Sequence, residues 1–178
     1  MATLMENIAD HIYQQRFPAL DAAFNQRLFD AFLAQRDGEE VRKTHLFEGR
    51  YENIYLERDC CSELSHVLTE AQRAAESITG VTGLSVGFWF NEMPPGHRTL
   101  PHTHDDLDEL LSGVYYVVTP LDSGNLKIDD EPEPLVVAPE PGKMVFFPPD
   151  RVHEVEVNAS NHTRLSIGMN FGLRDPGD

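Results

Sequence analysis

A chain of 178 residues, 40% hydrophobic and 25% charged, is long enough for one domain with a packed core and too short for two comfortable ones. That composition excludes a disordered or fibrous chain. The net charge of −16 leaves no basic footprint for displacing counterions from nucleic acid or an anionic membrane, so neither partner is expected.

The opening MATLMENIADHIYQQRF has acidic residues and no continuous apolar segment, and no run approaches the roughly twenty apolar residues that span a bilayer. A cytoplasmic protein is expected. Cys60 and Cys61 are adjacent and cannot build a disulfide framework, which suits a reducing compartment. From Ala19 to Gln35 the residues Leu20, Phe24, Leu28 and Phe32 recur at helical spacing, with Gly38 as a stop. LFEGRYENIYLE, residues 46 to 57, reads as extended. SELSHVLTEAQRAAESITG, residues 62 to 80, predicts a second amphipathic helix packed on a sheet, with Ser62 as its N-cap and Gly80 as its end.

After Gly83 the hydrophobic period changes from near 3.6 to near 2, and Pro and Gly punctuate it: LSVGFWFNE, LSGVYYVVTP, NLKI, PLVVAP, GKMVFFPP, VHEVEVN and RLSIGMNFG. Short strands at this density, with helices gathered before them, predict an α+β protein: an antiparallel β-sandwich or jelly roll braced by N-terminal helices. One domain over 1–178 is expected, residues 1–82 bracing and 83–173 forming the core that carries any metal site. Two Asn-x-Ser/Thr sequences at 158–163 are read as chance in a chain without a secretion signal.

Position decides which histidines matter. His11, His45, His66 and His162 have no partner carboxylate at ligand spacing and are set aside. In HEVEVN the alternation puts Val155 and Val157 on the same face as His153, and that face is predicted to be inward. In RLSIGMNF, Leu165, Ile167, Met169 and Phe171 share one face, leaving Arg164, Ser166, Gly168 and Asn170 on the other. An inward guanidinium requires an anion, either a bound carboxylate or an Asp or Glu of the chain. In GHRTLPHTHDDLDELLSGVYY, residues two apart share a strand face, so both His102/His104 and His104/Asp106 can present a pair to one ion. Two imidazoles and one carboxylate, with the other positions open, is the arrangement of iron(II) oxygenases, and His104, Asp106 and a distant His153 would complete it.

His-x-Asp before a strand, a distal histidine in GKMVFFPPDRVHEV, and an arginine eleven residues later followed by x-Ser together resemble the 2-oxoglutarate and iron(II)-dependent oxygenase superfamily. LSGVYYVVTPLDSGNLKI and PGKMVFFPPDRVHEVEV look most like a bacterial and phage branch of it. The resemblance covers residues 84 to 172. It implies a double-stranded β-helix, a cupin-like jelly roll, with iron(II) on His104, Asp106 and His153. It also implies 2-oxoglutarate with its distal carboxylate on Arg164, assisted by Ser166 and by a tyrosine of VYY, Tyr116 ahead of Tyr115. Asn91 and Trp89 are candidates to meet cosubstrate or substrate. The implied reaction is O2-dependent hydroxylation of a small molecule or an amino-acid or peptide side chain, coupled to decarboxylation of 2-oxoglutarate to succinate. Members of that branch carry His-x-His before SGVYY; laid over this chain without gaps, the pair falls on His104 and Asp106, leaving His102 upstream, behind the ligands or facing substrate.

Two other readings compete. The same stretch resembles the cupin motif, with His102, His104, Glu109 and His153 as ligands, although Tyr116 stands where that motif has glycine and Arg164 and Ser166 would have no task. A jelly roll that binds a small ligand without catalysis is the third.

Overall fold

The computed structural model describes residues 4–104 and 108–173. In chain order its elements are β1 (Glu6–Ala9), β2 (Ile12–Arg16), α1 (Ala22–Gln35), β3 (Arg42–Phe47), β4 (Arg50–Tyr55), α2 (Ser62–Thr79), β5 (Ser85–Met93), β6 (Thr99–His102), β7 (Glu109–Val118), β8 (Leu126–Ile128), β9 (Leu135–Val137), β10 (Lys143–Phe147), β11 (His153–Val155) and β12 (Arg164–Gly172). Among the described residues no helix is long and apolar enough to cross a membrane.

Helix α1 starts later than its apolar spacing predicts, because Asp21 caps it: the carboxylate accepts the Phe24 N–H at 2.9 Å. Helix α2 has Cys61 rather than Ser62 at its N-cap, with no side-chain cap bond. The Ser62 hydroxyl turns instead to Glu63, at 2.9 Å. Its other end is as expected, Gly80 taking a left-handed φ of 71°. The stretch 46–57 is not one extended segment. It turns at Glu48 and Gly49, both with positive φ, and β3 folds back on β4 with Phe47 opposite Arg50.

The strands form two antiparallel sheets, one of eight in the order β1-β2-β10-β7-β12-β5-β4-β3 and one of four in the order β6-β11-β8-β9. Strand β12 is central to the larger sheet, paired with β5 and β7 along its length. Its Leu165, Ile167, Met169 and Phe171 join Phe24, Leu28 and Phe32 of α1 and Leu64, Leu68, Ala71 and Ala75 of α2 in the main core. Each such buried side chain contributes about 1.5–3 kcal/mol. A second apolar cluster, Ile12, Tyr116, Val145 and Phe147 of the large sheet with Leu126, Ile128 and Val137 of the small one, closes the space between the sheets at one end. The remaining space is a cavity of about 470 Å³ lined from both sheets, within the range of ligand pockets.

Strand β11 is shorter than the alternation predicts. It ends at Val155, and Val157, expected inward, is 45% exposed. The chain leaves the sheet as the Glu156 N–H binds the Asn125 carbonyl. Asn158, in one of the two glycosylation-like sequences, is fully buried and donates to the carbonyls of Met93 and His162 at 2.9 and 2.8 Å.

Candidate metal and cosubstrate site

Strand β6 pairs antiparallel with β11, and in that register His102 stands opposite His153. His104 lies two residues on, where its backbone N–H donates to the Pro149 carbonyl at 2.8 Å. One ring nitrogen from each of the three histidines lies within 4.8 Å of the others. Ring centroids are 4.2 Å apart for His102 and His153, 4.9 Å for His104 and His153, and 4.8 Å for His102 and His104.

The hydrogen bonds fix two of the tautomers. His153 Nδ1 is 2.9 Å from the Arg151 carbonyl and His102 Nδ1 is 2.8 Å from the Leu100 carbonyl. A carbonyl only accepts, so each Nδ1 carries the proton and each Nε2 keeps a free lone pair, the state a metal requires. Burial, reinforced by the neighbouring His102, lowers the pKa of His104 to about 4 and that of His153 to about 3. Both are neutral at pH 7. Neutral imidazoles converging in this way fit a divalent ion of the iron, cobalt, nickel and zinc group.

Of the residues singled out in the sequence, Asp106 lies outside the described residues. Glu109, the cupin alternative's carboxylate, opens β7 opposite Gly172 and does not belong to the histidine group. Among the described residues no carboxylate joins that group.

Arg164 lines the same cavity from β12 and is 2% exposed. Its guanidinium donates to the backbone carbonyls of Ser123, at 3.2 Å, and of Gly124. Among the described residues it has no carboxylate partner. Gly124 is fixed by another neighbour: its φ is +92°, and a Cβ there would lie 2.2 Å from the Glu156 carbonyl oxygen. Burial lowers the arginine's pKa, Tyr116 being the only group that opposes the shift. The Arg164 guanidinium carbon is 5.4 Å from the Tyr116 ring centroid, and Ser166 is the register partner of Tyr116 across β12 and β7.

The two tyrosines of VYY separate cleanly. Tyr115 faces the helices and donates its hydroxyl to Asn25 Oδ1 at 2.7 Å. Tyr116 lines the cavity, and its buried hydroxyl has no hydrogen-bond partner among the described residues. Its pKa is pushed up to about 12 by burial, with Arg164 opposing. A buried cation without an anion and a buried phenol without a partner on one wall are two vacant claims on one acceptor. A carboxylate answers both.

On the far side of β12, Trp89 and Asn91 of β5 line the cavity, as does Asn170. The Trp89 ring is 5.2 Å from that of His104. It lies so close over Gly168 that a Cβ there would be 2.5 Å from an indole carbon. Asn91 is held by Arg50, which donates to its Oδ1 at 3.2 Å, and by Thr99. The β3–β4 hairpin adds His45, Glu52, Asn53 and Tyr55 to the wall, none of which spacing along the chain points to. His45, set aside for want of a partner carboxylate, has a φ of 58°, and its Nδ1 meets Thr44 Oγ1 and Asn53 Nδ2 at 2.8 and 3.1 Å. A non-glycine residue at positive φ beside a cavity is the one local signal, and it is visible only in the fold.

A sequence model described as "2OG-Fe(II) oxygenase superfamily" matches residues 88–172. The matched stretch is a little under half of the chain. The match takes in His102, His104, His153, Arg164 and Ser166 together. The chain is similar there to a superfamily whose cofactors are iron(II), 2-oxoglutarate and O2. Among solved structures it is similar to a prolyl-4-hydroxylase of Pseudomonas putida, at 21% identity over 93% of this chain and 94% of that one, with a TM-score of 0.74. It is also similar to a 2OG-Fe(II) oxygenase-family oxidoreductase of Burkholderia pseudomallei, at 18% identity over 91% and 84%, TM-score 0.66. A third is the epimerase SnoN in complex with Fe3+, alpha-ketoglutarate and nogalamycin RO, at 16% identity over 92% and 79%, TM-score 0.68. At these identities the likeness establishes the fold, a double-stranded β-helix. No curated protein sequence matches the chain.

Proposed function

We propose that this oxygenase hydroxylates a C–H bond of a small polar molecule or of an amino-acid or peptide side chain, with His104 and His153 as two of the iron ligands and Arg164 as the anchor of 2-oxoglutarate. The observation that carries the reading is Arg164, a buried cation on the cavity wall whose only hydrogen bonds among the described residues are to backbone carbonyls.

Bound iron(II) supplies the oxidative decarboxylation of 2-oxoglutarate to succinate and carbon dioxide and the transfer of oxygen to substrate. The chain's own residues do the rest. Arg164 pairs with the distal carboxylate of 2-oxoglutarate, and the Tyr116 hydroxyl donates to the same group, with Ser166 beside it. Both were left without such partners by the fold, so little reorganisation accompanies binding. The Arg151 carbonyl on Nδ1 presets the lone pair of His153, and the Pro149 carbonyl holds His104 through its backbone N–H. Trp89, stacked near His104 across Gly168, covers the metal side and limits water there.

The substrate is assigned to the β3–β4 end of the large sheet. His45, Glu52, Asn53 and Tyr55 lie outside the stretch that matches the superfamily, and they offer hydrogen-bonding groups with no cation for a second acid. That chemistry favours a neutral or cationic polar substrate over an anion, in keeping with the net charge of −16. The prolyl hydroxylases among the structural relatives support the amino-acid or peptide option within that class. The free thiols of Cys60 and Cys61 support a cytoplasmic site of action.

Aerobic incubation with iron(II) and 2-oxoglutarate tests the reaction. Slow succinate formation is expected without any substrate, abolished by His153→Gln and accelerated by the true substrate. Succinate no higher than in a protein-free control would overturn the reading.

A further inference from the structure

We infer that His45 and Asn53 form a hydrogen-bond donor and acceptor pair that binds an amide of the substrate, taking its carbonyl and its N–H from one edge. The inference rests on the oxygenase reading, which places the substrate at the β3–β4 hairpin, and deepens it by naming the chemistry read there.

The backbone gives the first argument. Thr44 and His45 are neighbours on β3, and neighbours on a regular strand point to opposite faces. Here Thr44 Oγ1 and His45 Nδ1 are 2.8 Å apart. The positive φ of His45, 58°, turns its ring onto the side of Thr44 and of Asn53, the register partner of Thr44 on β4. A histidine held in that backbone region is a feature the surrounding structure must enforce, and its effect is to bring the ring to the cavity wall. His45 is also one of the groups that lower the pKa of His104, so it stands within electrostatic reach of the metal side.

The hydrogen bonds then fix what the pair offers. Asn53 Nδ2 is 3.1 Å from His45 Nδ1, and an amide nitrogen only donates. Nδ1 therefore carries the lone pair and Nε2 the proton, the reverse of His102 and His153, whose Nδ1 atoms face carbonyls. Asn53 Nδ2 also donates to the Tyr55 hydroxyl at 3.3 Å, and the Arg42 guanidinium covers the Tyr55 ring at 3.8 Å. Among the described residues, His45 Nε2–H is left without an acceptor and Asn53 Oδ1 without a donor, in two side chains that both line the cavity.

A donor beside an acceptor fits a ligand edge that carries the opposite pair. An extended peptide residue presents its own N–H and carbonyl on one edge, the pattern by which strands pair. A carboxamide presents the same two groups. A carboxylate has only acceptors and would set its lone pairs against those of Asn53 Oδ1, while an ammonium has only donors and would meet the His45 N–H head-on. Within the class of polar substrates the pair selects a neutral amide.

The test uses protein loaded with zinc(II) and 2-oxoglutarate, which does not turn over. At mildly alkaline pH, where ordinary imidazoles are neutral, nitrogen NMR of isotope-labelled protein shows which ring nitrogen bears the proton. The His45 signals are identified by their absence from His45→Gln. Protonation at Nε2 is expected, and protonation at Nδ1 would overturn the pair. Asn53→Asp replaces the donor with a carboxylate, which only accepts, and is expected to move the His45 proton to Nδ1; an unmoved proton would count against the pair. Binding is read from the shifts of His45 and Asn53 on adding N-acetylglycine N-methylamide, propionamide or methyl propionate. Shifts with the capped glycine assign a peptide, shifts with propionamide alone assign a carboxamide side chain, and either supports the pair. Asn53→Asp weakens that binding on the order of tenfold, and the ester, with no N–H, shifts neither residue. Equal shifts from the ester, or none from either amide, would overturn the pair. Titration of 2-oxoglutarate into the zinc-loaded wild type separates the two levels: binding there without amide shifts overturns the pair alone, and no binding overturns the oxygenase reading as well. The wild-type tautomer and shifts decide the matter even where a variant fails to fold.

Discussion

Along β12 the side chains facing the helices, Leu165, Ile167, Met169 and Phe171, are fully buried in apolar contact, while those alternating with them, Arg164, Ser166, Gly168 and Asn170, line the cavity between the sheets. Tyr115 and Tyr116 on β7 repeat the division: one hydroxyl is satisfied by Asn25, the other is left without a partner. The helix-facing side is complete in the protein alone. On the cavity side, among the described residues, Arg164 has no carboxylate partner and the Tyr116 hydroxyl no hydrogen-bond partner. A single strand therefore carries stability on one face and binding on the other, and alternation at period 2 keeps the two apart.

That separation is open to attack at several points. Phe171→Ala removes a fully buried ring from the helix-facing core and is expected to lower unfolding free energy by about 3–5 kcal/mol, with 2-oxoglutarate affinity of the folded fraction unchanged. Denaturant unfolding and cosubstrate titration on one preparation would check both halves. Gly168→Ala places a methyl within 2.5 Å of the Trp89 indole. An overpacking loss of about 1–3 kcal/mol follows, and since Trp89 neighbours His104, succinate formation should drop with it; intact turnover would remove Trp89 from the site. The smallest effects come from the tyrosines and have opposite signatures. Tyr115→Phe loses its bond to Asn25 and about 1 kcal/mol of stability at constant cosubstrate affinity. Tyr116→Phe loses no bond in the free protein, so its melting temperature should hold or rise while the Kd for 2-oxoglutarate weakens by roughly tenfold. Equal behaviour of the two variants would erase the distinction between the faces.

The same alternation explains what was legible in the sequence. Strands β5, β7, β10 and β12 are central and pack on the core, so their patterns carried the fold, and the two faces of β12 could be assigned from RLSIGMNF alone. The edge hairpins could not. β1, β3 and β4 are polar on both sides, with burial scattered along them, and edge strands with no core face show no period to read. Consequently the His45, Asn53 and Tyr55 wall, brought to the cavity only when β4 pairs with β5 at Ile54 and Phe90, was invisible. Tyr116 was favoured over Tyr115 by resemblance, and the structure supplies a physical reason in the fate of the two hydroxyls. His102 marks the limit of spacing as a guide: that it stands opposite His153, each with its Nδ1 on a backbone carbonyl, shows only in the β6–β11 register.

The central claim is that the buried charge of Arg164 awaits the distal carboxylate of 2-oxoglutarate. Calorimetric titration of 2-oxoglutarate into nickel(II)-loaded protein, wild type beside Arg164→Met, tests it most directly. The account predicts one saturable site in the wild type, an affinity weakened by about a hundredfold or more in the variant, and equal nickel content in both. Wild-type affinity retained in Arg164→Met would contradict it.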